Sequence, residues 1–252
     1  MTTLRRHGVP VRTGVEPIEI TGGPEDGVQS LTVRKRGSEP LTIQCDAVAL
    51  GYHLRAEAAL ADLAHCEFYF DRVSRQWLPI VDSDGRATVK GIYLAGDGAR
   101  LTGADGAEIA GELAALSVLK DFGRTVEAAR VSRLRSALSR MERFRSGLAE
   151  AFPWPFEAAA GISDDTVVCR CEVITAGEIR KLAVQNGATE INRNKAFGRA
   201  GMGRCQGRYC GHATAEIIAA ATATPIEQVG RLRGQAPVKP ISIGVGANED
   251  AR

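Results

Sequence analysis

The chain has 252 residues, of which 44% are hydrophobic and 25% charged, a composition typical of a soluble globular protein with one or two domains. Its net charge of +2 is too small to indicate a nucleic-acid partner, and no apolar run reaches the roughly 18 residues that a transmembrane helix needs. The basic start, Met1 to Arg6, is followed by no apolar core, so we expect no secretory signal and a cytoplasmic location.

The first 64 residues predict β-structure followed by a helix. Short extended runs occupy residues 9–12, 16–21 and 28–36. A turn-rich stretch, 22–27, separates the last two runs. A further strand is predicted at 41–50, and its apolar end, 47–50, is typical of a strand buried on both faces of a parallel sheet. Residues 54–64 then have a helical pattern.

The middle of the chain begins with a second group of β signals. A turn at 82–85 connects two extended runs, 77–81 and 87–89, into a hairpin. A short apolar strand at 92–95 then leads into Gly96-Asp97-Gly98, and we expect this strand to belong to a parallel sheet.

Two long helices follow. The first, at about 104–119, is rich in small residues, and the second, at about 126–150, has one apolar face and many arginines. We interpret the arginines as a solvated face; the alternative is a docking face for a partner subunit. Prolines and aromatic residues at 152–156 end the second helix, so we place a domain boundary near residue 160.

Six cysteines without an export signal indicate a reducing compartment rather than disulfides. Cys45 and Cys66 stand alone and are expected to be small buried hydrophobes. The other four form a C-x-C pair and a C-x4-C pair, namely Cys169 with Cys171 and Cys205 with Cys210. Two close pairs, each in one loop, are what a site with four thiolates needs.

Three uses of these four cysteines compete. Zinc usually binds pairs with two to four intervening residues, so a C-x-C pair is tight for one tetrahedral ion. A [2Fe–2S] cluster has two irons and accepts a more uneven spacing. The pattern therefore favours the cluster, while zinc and disulfides stay open as alternatives.

The residues around the second pair are consistent with a cluster. Glycines crowd this segment: Gly198, Gly201, Gly203, Gly207 and Gly211. Glycine lets backbone N–H groups approach sulfur closely. Arg170, Arg204 and Arg208 alternate with the cysteines and can offset the negative thiolates. His212 could donate a hydrogen bond to the cluster or act as a ligand, but we favour an ordinary surface position or one next to the ligands, because four cysteines already complete the site.

Capping signals predict the helices of this region. Thr175 and Glu178 form a capping-box pattern at the start of a helix that Gly187 ends. A second helix is predicted to begin after Cys210, and a third at Pro225.

Cys169-Arg170-Cys171 together with residues 200–211, AGMGRCQGRYCG, resembles the bacterioferritin-associated-ferredoxin-like [2Fe–2S] domain. It is similar in particular to the version at the C-terminus of the FAD-containing subunits of opine oxidases, hydrogen cyanide synthase and dye-linked proline or hydroxyproline dehydrogenases. The segment 237–241, PVKPI, resembles the tail of that group. The resemblance covers about residues 160–245 and implies that the four cysteines bind a [2Fe–2S] cluster.

The segment 92–97, IYLAGD, resembles the second flavin-contacting motif of flavoproteins with two dinucleotide-binding domains. The resemblance implies a close backbone approach at Gly96 and a hydrogen bond from a ribityl hydroxyl to Asp97. The N-terminal G-x-G-x-x-G motif of such proteins, where the FAD pyrophosphate meets a helix N-terminus, is missing. The sequence thus resembles the C-terminal half of a larger pyridine-nucleotide-disulfide-oxidoreductase-like protein, with a partial FAD site.

These resemblances imply an α/β fold. A partial dinucleotide-binding (Rossmann-like) flavoprotein domain would span residues 1–160, and a small, mainly helical [2Fe–2S] domain residues 161–252. They imply a redox subunit of a multi-subunit FAD-dependent amine, imino-acid or opine dehydrogenase or oxidase. One expected partner is a substrate-oxidising flavoprotein subunit. The missing N-terminal FAD-binding half leaves two interpretations, a truncated gene product or a split one whose other half is a separate chain.

Two alternatives remain at this level. One is a non-catalytic ferredoxin-like carrier or scaffold that does not bind FAD alone, and the other is an interaction module stabilised by zinc. No catalytic residue and no substrate follow from the sequence.

Overall fold

The computed structural model describes residues 2–51 and 53–238, which belong to two compact units divided between residues 52 and 53. Lys239, Pro240 and Ile241 of the tail motif lie outside the described residues. The predicted division near residue 160 is not tested by this arrangement and stays a prediction. None of the helices in the described part is both long and apolar enough to cross a membrane.

The first unit is an antiparallel three-stranded sheet preceded by a short helix. Its elements are α1 (Thr2–Arg6), β1 (Val15–Gly23), β2 (Gly27–Lys35) and β3 (Leu41–Gln44), with β2 in the centre. The predicted turn at 22–27 connects β1 to β2. Gly22 is required there, since a Cβ would lie 2.1 Å from the Gly27 carbonyl oxygen.

Two predictions for this unit are wrong. Residues 9–12 form no strand, and the predicted strand at 41–50 stops at Gln44. Residues 47–50 are irregular, and the Leu50 side chain is 56% exposed. An apolar run forms a doubly buried strand only where strands pair on both sides, whereas β3 pairs along one edge with β2.

The second unit begins with a helix and an antiparallel hairpin. Its first elements are α2 (Ala59–Leu63), β4 (Phe68–Asp71) and β5 (Gln76–Pro79). The predicted helix at 54–64 is therefore present only in its second half. The hairpin turn at 82–85 is confirmed, because the Gly85 N–H donates to the Asp82 carbonyl at 3.2 Å.

Residues 92–95 do not form the predicted strand of a parallel sheet. Tyr93 makes one antiparallel bridge with Arg86, and the Leu94 N–H donates to the Gly85 carbonyl at 2.8 Å. Within residues 2–51 and 53–238, every strand pair is antiparallel. The prediction failed because residues 92–95 pair with the turn that closely precedes them in the chain. Segments joined by so short a connection can pair only in antiparallel orientation.

The two predicted long helices are confirmed as α3 (Gly103–Asp121) and α4 (Ala128–Ala151), which pack against each other. The arginines of α4 divide into two groups. Arg133, Arg140 and Arg143 are exposed, in agreement with a solvated face. Arg135 instead binds Asp84 in a bidentate pair at 2.6 Å and so attaches the helix to the hairpin turn.

The region after residue 160 is mainly helical, as predicted. It comprises β6 (Val167–Cys169), β7 (Ile174–Thr175), α6 (Ala176–Gln185), α7 (Ile191–Gly198), α8 (Gly211–Thr222) and α9 (Ile226–Val229), and a short helix, α5 (Phe156–Ala160), packs against α8. Its core consists of fully buried aliphatic side chains from four helices, among them Ile179, Ile191, Ile217, Ile218 and Val229. The capping box at Thr175 and Glu178 is present with both hydrogen bonds. This core holds the loops that carry the cysteine pairs.

Candidate metal centre

The four cysteines lie on two loops that meet at the N-terminus of α8. Cys169 ends β6 and Cys171 follows in the turn to β7, while Cys205 lies after α7 and Cys210 directly precedes α8. The Cys171 side chain lies near enough to Cys205 to influence its pKa, and the Cys169 side chain does the same to Cys210. All four are free of disulfides. The fold therefore brings each cysteine of one pair against a cysteine of the other.

Backbone donors surround the sulfur of Cys205. Burial alone would raise its pKa, but hydrogen bonds from Cys171 and from the N–H groups of Tyr209, Gly207 and Arg208 outweigh burial. The pKa of Cys205 is therefore lowered, because the donors stabilise the thiolate. The expectation that glycine-rich backbone would approach the sulfurs is met at Gly207.

Cys210 has the opposite environment. Burial, followed by the neighbouring sulfurs of Cys169 and Cys205, raises its pKa to about 12. Its side chain is 2% exposed and that of Cys169 1%. A buried thiol with a raised pKa is deprotonated when it binds a metal cation, because the metal stabilises the thiolate.

The glycines of this segment serve a second purpose that sequence reasoning missed. A Cβ on Gly201, Gly207 or Gly211 would lie 2.3–2.9 Å from one methyl carbon of Leu232, which fills the space between them. A Cβ on Gly203 would lie 2.1 Å from the Cys171 Cβ. At Gly203 the two cysteine loops are thus too close for a side chain, whereas a side chain at the other three glycines would displace the Leu232 methyl group.

The donor set fits a two-iron cluster. All four side chains are thiols, and a [2Fe–2S] cluster is held by four cysteine thiolates on two irons. The two cysteine loops touch at Gly203 and Cys171, so the fold brings both pairs to one place.

The remaining predictions near the cysteines are largely met. Cys66 is buried, which raises its pKa, and Cys45 is half-buried. His212 packs against the Trp154 ring with centroids 5.1 Å apart. Burial, followed by repulsion from Arg55, lowers the His212 pKa to about 3, so the imidazole is neutral. The recorded neighbours of the His212 ring are thus Trp154 and the cationic side chains of Arg55 and Arg75.

Ion pairs connect the cysteine-bearing region to the residues before 80, and sequence reasoning missed all of them. Arg75 binds Glu216 of α8 through two hydrogen bonds of 3.0 and 2.8 Å, and its guanidinium lies 4.2 Å from the Phe156 ring centre. Asp62 of α2 accepts from Arg231 at 2.7 Å and from Arg233 at 3.0 Å. Partners more than 140 positions apart leave no local pattern in a sequence.

A cavity of about 360 Å³ lies between these two groups of residues. Its wall includes the cysteine-loop residues Gln206 and Arg208, the aromatic ring of Trp77, and Arg55. The Trp77 indole N–H is buried without a hydrogen-bond partner in the described structure.

The predicted flavin-contacting residues form a single 3₁₀ turn after residues 92–95. Gly96 has φ of +54°, and a Cβ there would lie 3.1 Å from the Ala107 Cβ of α3. Asp97 is exposed, and its carboxylate makes no hydrogen bond or ion pair with other described residues. A second cavity, of about 340 Å³, borders Gly96 but not Asp97. At Gly96 the turn therefore packs closely against α3, and at Asp97 it exposes a carboxylate that can accept a hydrogen bond.

Comparison with known proteins identifies the cysteine-bearing region. Residues 167–220 match the family model of the BFD-like [2Fe-2S] binding domain. This region is a BFD-like [2Fe-2S] binding domain. The cluster is therefore the cofactor of this domain, as predicted.

Similarity to oxidoreductase subunits extends beyond this domain. The chain is 36% identical over 237 residues to an opine oxidase subunit of Rhizobium meliloti, covering 92% of this chain and 44% of that protein. It is 30% identical over 257 residues to hydrogen cyanide synthase subunit HcnB of Pseudomonas aeruginosa, covering 97% of this chain and 54% of the relative. The chain spans about half the length of the curated relatives it matches. These relatives support the predicted class, an oxidoreductase component.

The fold also has a solved counterpart. The structure matches that of L-proline dehydrogenase from P. horikoshii with a TM-score of 0.72 and 19% identity, over 98% of this chain and 47% of that one. The predicted mixed α/β fold is thus confirmed over nearly the whole chain, although its parallel sheet is absent from the described residues.

Proposed function

We propose that this chain is the cluster-bearing component of a multi-subunit, FAD-dependent dehydrogenase or oxidase of amines, imino acids or opines in the reducing cytoplasm. The proposal rests on one observation above all, the meeting of two cysteine loops in a BFD-like domain. The names of the relatives, opine oxidase and hydrogen cyanide synthase subunits, supply the substrate class.

Cys169, Cys171, Cys205 and Cys210 are the proposed ligands. When bound, a [2Fe–2S] cluster supplies reversible one-electron chemistry. Around it, the N–H groups of residues 207–209 stabilise the negative charge on the Cys205 sulfur. Burial of Cys169 and Cys210 keeps water from one side of the ligand set.

The proposed FAD contacts are Gly96 and Asp97. Gly96 provides the close backbone approach, and the free Asp97 carboxylate can accept a hydrogen bond from a ribityl hydroxyl. When bound, FAD supplies two-electron oxidation of the substrate and one-electron release. The described contacts lack a pyrophosphate-binding glycine loop, so the missing N-terminal half, fused to this chain or separate from it, would complete the site.

The domain division follows the same logic. The flavoprotein part would comprise residues 1–160 and the cluster domain residues 161–252, joined through the Arg75–Glu216 and Asp62–Arg231 ion pairs. A substrate-oxidising flavoprotein subunit is the proposed partner of this assembly.

Metal analysis of anaerobically purified protein tests the cluster assignment. We expect about two irons and two sulfides per chain, loss of both in Cys205→Ser, and their retention in the matched variant Cys45→Ser. Stoichiometric zinc without sulfide would overturn the assignment.

Reconstitution tests the flavin assignment and separates the enzyme component from a simple ferredoxin-like carrier. The isolated chain should contain the cluster with little flavin, because loss of the phosphate contacts removes much of the surplus binding energy. Addition of a chain with the missing N-terminal half should restore FAD, and substrate should then reduce both centres. If FAD is not retained even in that complex, the chain is a carrier and the enzyme-component proposal fails.

A further inference from the structure

The described residues next to the cysteine ligands leave one side of the proposed centre open. Cys171 is exposed, in contrast to the buried Cys169 and Cys210. Around Cys171 lie residues that we call the cluster face: Arg170, Val173, Met202, Arg204 and Tyr209. They form one surface because their loops touch at Gly203 and Cys171.

Three of the five residues of this face have apolar or aromatic side chains. Val173 is 67% exposed, Met202 39% and Tyr209 85%, although each is flanked by buried or half-buried residues. Val173 also has φ of +55°, a left-handed conformation that a β-branched side chain rarely adopts. Strained backbone of this kind persists mainly at functional positions. Here it turns an apolar side chain towards solvent directly beside the exposed ligand.

The two other residues of the face are arginines. Arg170 and Arg204 are exposed and make no ion pair with any residue that the structure describes. The other arginines of these loops are already paired, Arg199 with Glu172 at 2.9 Å and Arg208 with Glu57 at 2.7 Å.

Arg170 and Arg204 are not the only cations near the cysteines. An oxidised [2Fe–2S] cluster with four thiolates has a net charge of about −2. The buried Lys195 and the cavity-lining Arg55 lie near enough to Cys210 to interact with it electrostatically. They therefore share with the two exposed arginines the task of offsetting the negative cluster.

We propose that the cluster face is the docking site of a small acidic electron-transfer protein. The inference rests on the proposed function, since it assumes the cluster. A reduced cluster gives up one electron and the carrier is reduced by one electron, with no bond formed or broken. Exposed apolar side chains together with unpaired arginines suit the small, transient interfaces of redox proteins, which bury less than about 1,200 Å². The arginines attract the acidic partner, while Val173, Met202 and Tyr209 provide the contact.

Binding to c-type cytochromes of opposite net charge tests the proposal, with the complete cluster-loaded chain and both partners oxidised so that no turnover occurs. By titration calorimetry at low ionic strength, the acidic cytochrome should bind more tightly than the basic one, and added salt should weaken its binding. The double variant Arg170→Gln/Arg204→Gln should bind the acidic cytochrome about 3- to 20-fold more weakly. Tyr209→Ser should also weaken binding, but with an unchanged salt dependence.

The double variant Arg133→Gln/Arg140→Gln is the matched control. It removes the same charge from the exposed side of α4, far from the cysteines in sequence, and should leave the affinity within about twofold of the original. Equal binding of both cytochromes, or an equal loss in both double variants, would overturn the docking site. Protection of the cluster face by the substrate-oxidising subunit, measured by hydrogen exchange in the complex, would overturn it as well. A chain without iron and sulfide would instead refute the proposed function, so the two failures are distinguishable.

Discussion

Gly203→Ala tests whether close packing of the two loops determines cluster retention. The new Cβ would lie 2.1 Å from the Cys171 Cβ, 3.2 Å from its sulfur and 3.3 Å from the Glu172 Oε1. Non-bonded carbon atoms prefer about 3.5–4.0 Å, so the loops must separate by more than an ångström. Metal–ligand distances tolerate only about 0.2 Å, and the displaced ligand therefore no longer fits.

The magnitude follows from the cost of overpacking. Extra methyl groups in tight sites cost about 1–3 kcal/mol. If this cost falls on the cluster-bound form, cluster affinity should drop by about 5- to 150-fold, since about 1.4 kcal/mol corresponds to a factor of ten. The assay is the rate of bleaching of the cluster absorbance by an iron chelator, with iron and sulfide content measured in parallel.

Gly147→Ala is the matched control, because the same change in α4 meets no atom within 4 Å. Alanine in a helix interior should raise the thermal stability slightly and leave chelator resistance unchanged. The reasoning would be refuted if Gly203→Ala retained two irons and released them at the original rate.

Three further predictions concern the ion pairs and the flavin turn. Arg75→Met leaves the 4%-exposed Glu216 carboxylate without its partner and should lower the free energy of unfolding by about 3 kcal/mol, measured by urea titration. Asp62 has a lowered pKa because hydrogen bonds from Arg231 and Gly234 outweigh its burial. Its contribution to stability is therefore present above the unfolded pKa of about 3.9 and lost as pH falls through the lowered value, so Asp62→Asn should flatten the stability profile below pH 4. Asp97→Ala should reduce FAD content in the reconstituted complex without changing iron content.

Each of these predictions has a clear contrary result. Arg133→Met removes a largely exposed ion pair with Glu127 and should lower the free energy of unfolding by less than about 1 kcal/mol. An equally small effect of Arg75→Met would show that the buried Arg75–Glu216 pair does not stabilise the fold. An unchanged acid-unfolding profile in Asp62→Asn would remove Asp62 from the groups that set acid stability. Normal flavin content in Asp97→Ala would exclude this carboxylate from the FAD site.

Features encoded within a few residues were predictable from the sequence. Each of these features depends on residues that are only a few positions apart in the sequence. They are the capping box at Thr175, the turn at Asp82–Gly85 and the helices α3 and α4. The proposed ligands were recognisable for the same reason, since each cysteine pair is local.

Features that depend on distant partners were not predictable. The apolar run at 47–50 was taken for an interior strand, although no strand pairs with it in the described structure. Leu232 gave no signal of its role, because its glycine neighbours lie more than 20 positions earlier. Residues 92–95 were similarly assigned by composition, whereas their hydrogen-bond partners determine the structure.

The position of Leu232 has a consequence for how the protein matures. Leu232 packs against three glycines of the cysteine loops, and its neighbours Arg231, Arg233 and Gly234 hold Asp62 of α2. Translation proceeds from the N-terminus, so all four cysteines leave the ribosome before this segment does. Until residue 232 has been synthesised, the three glycines lack the side chain that fills the space between them. The packing around the cysteine loops is therefore completed only by a segment that follows all four cysteines in the chain.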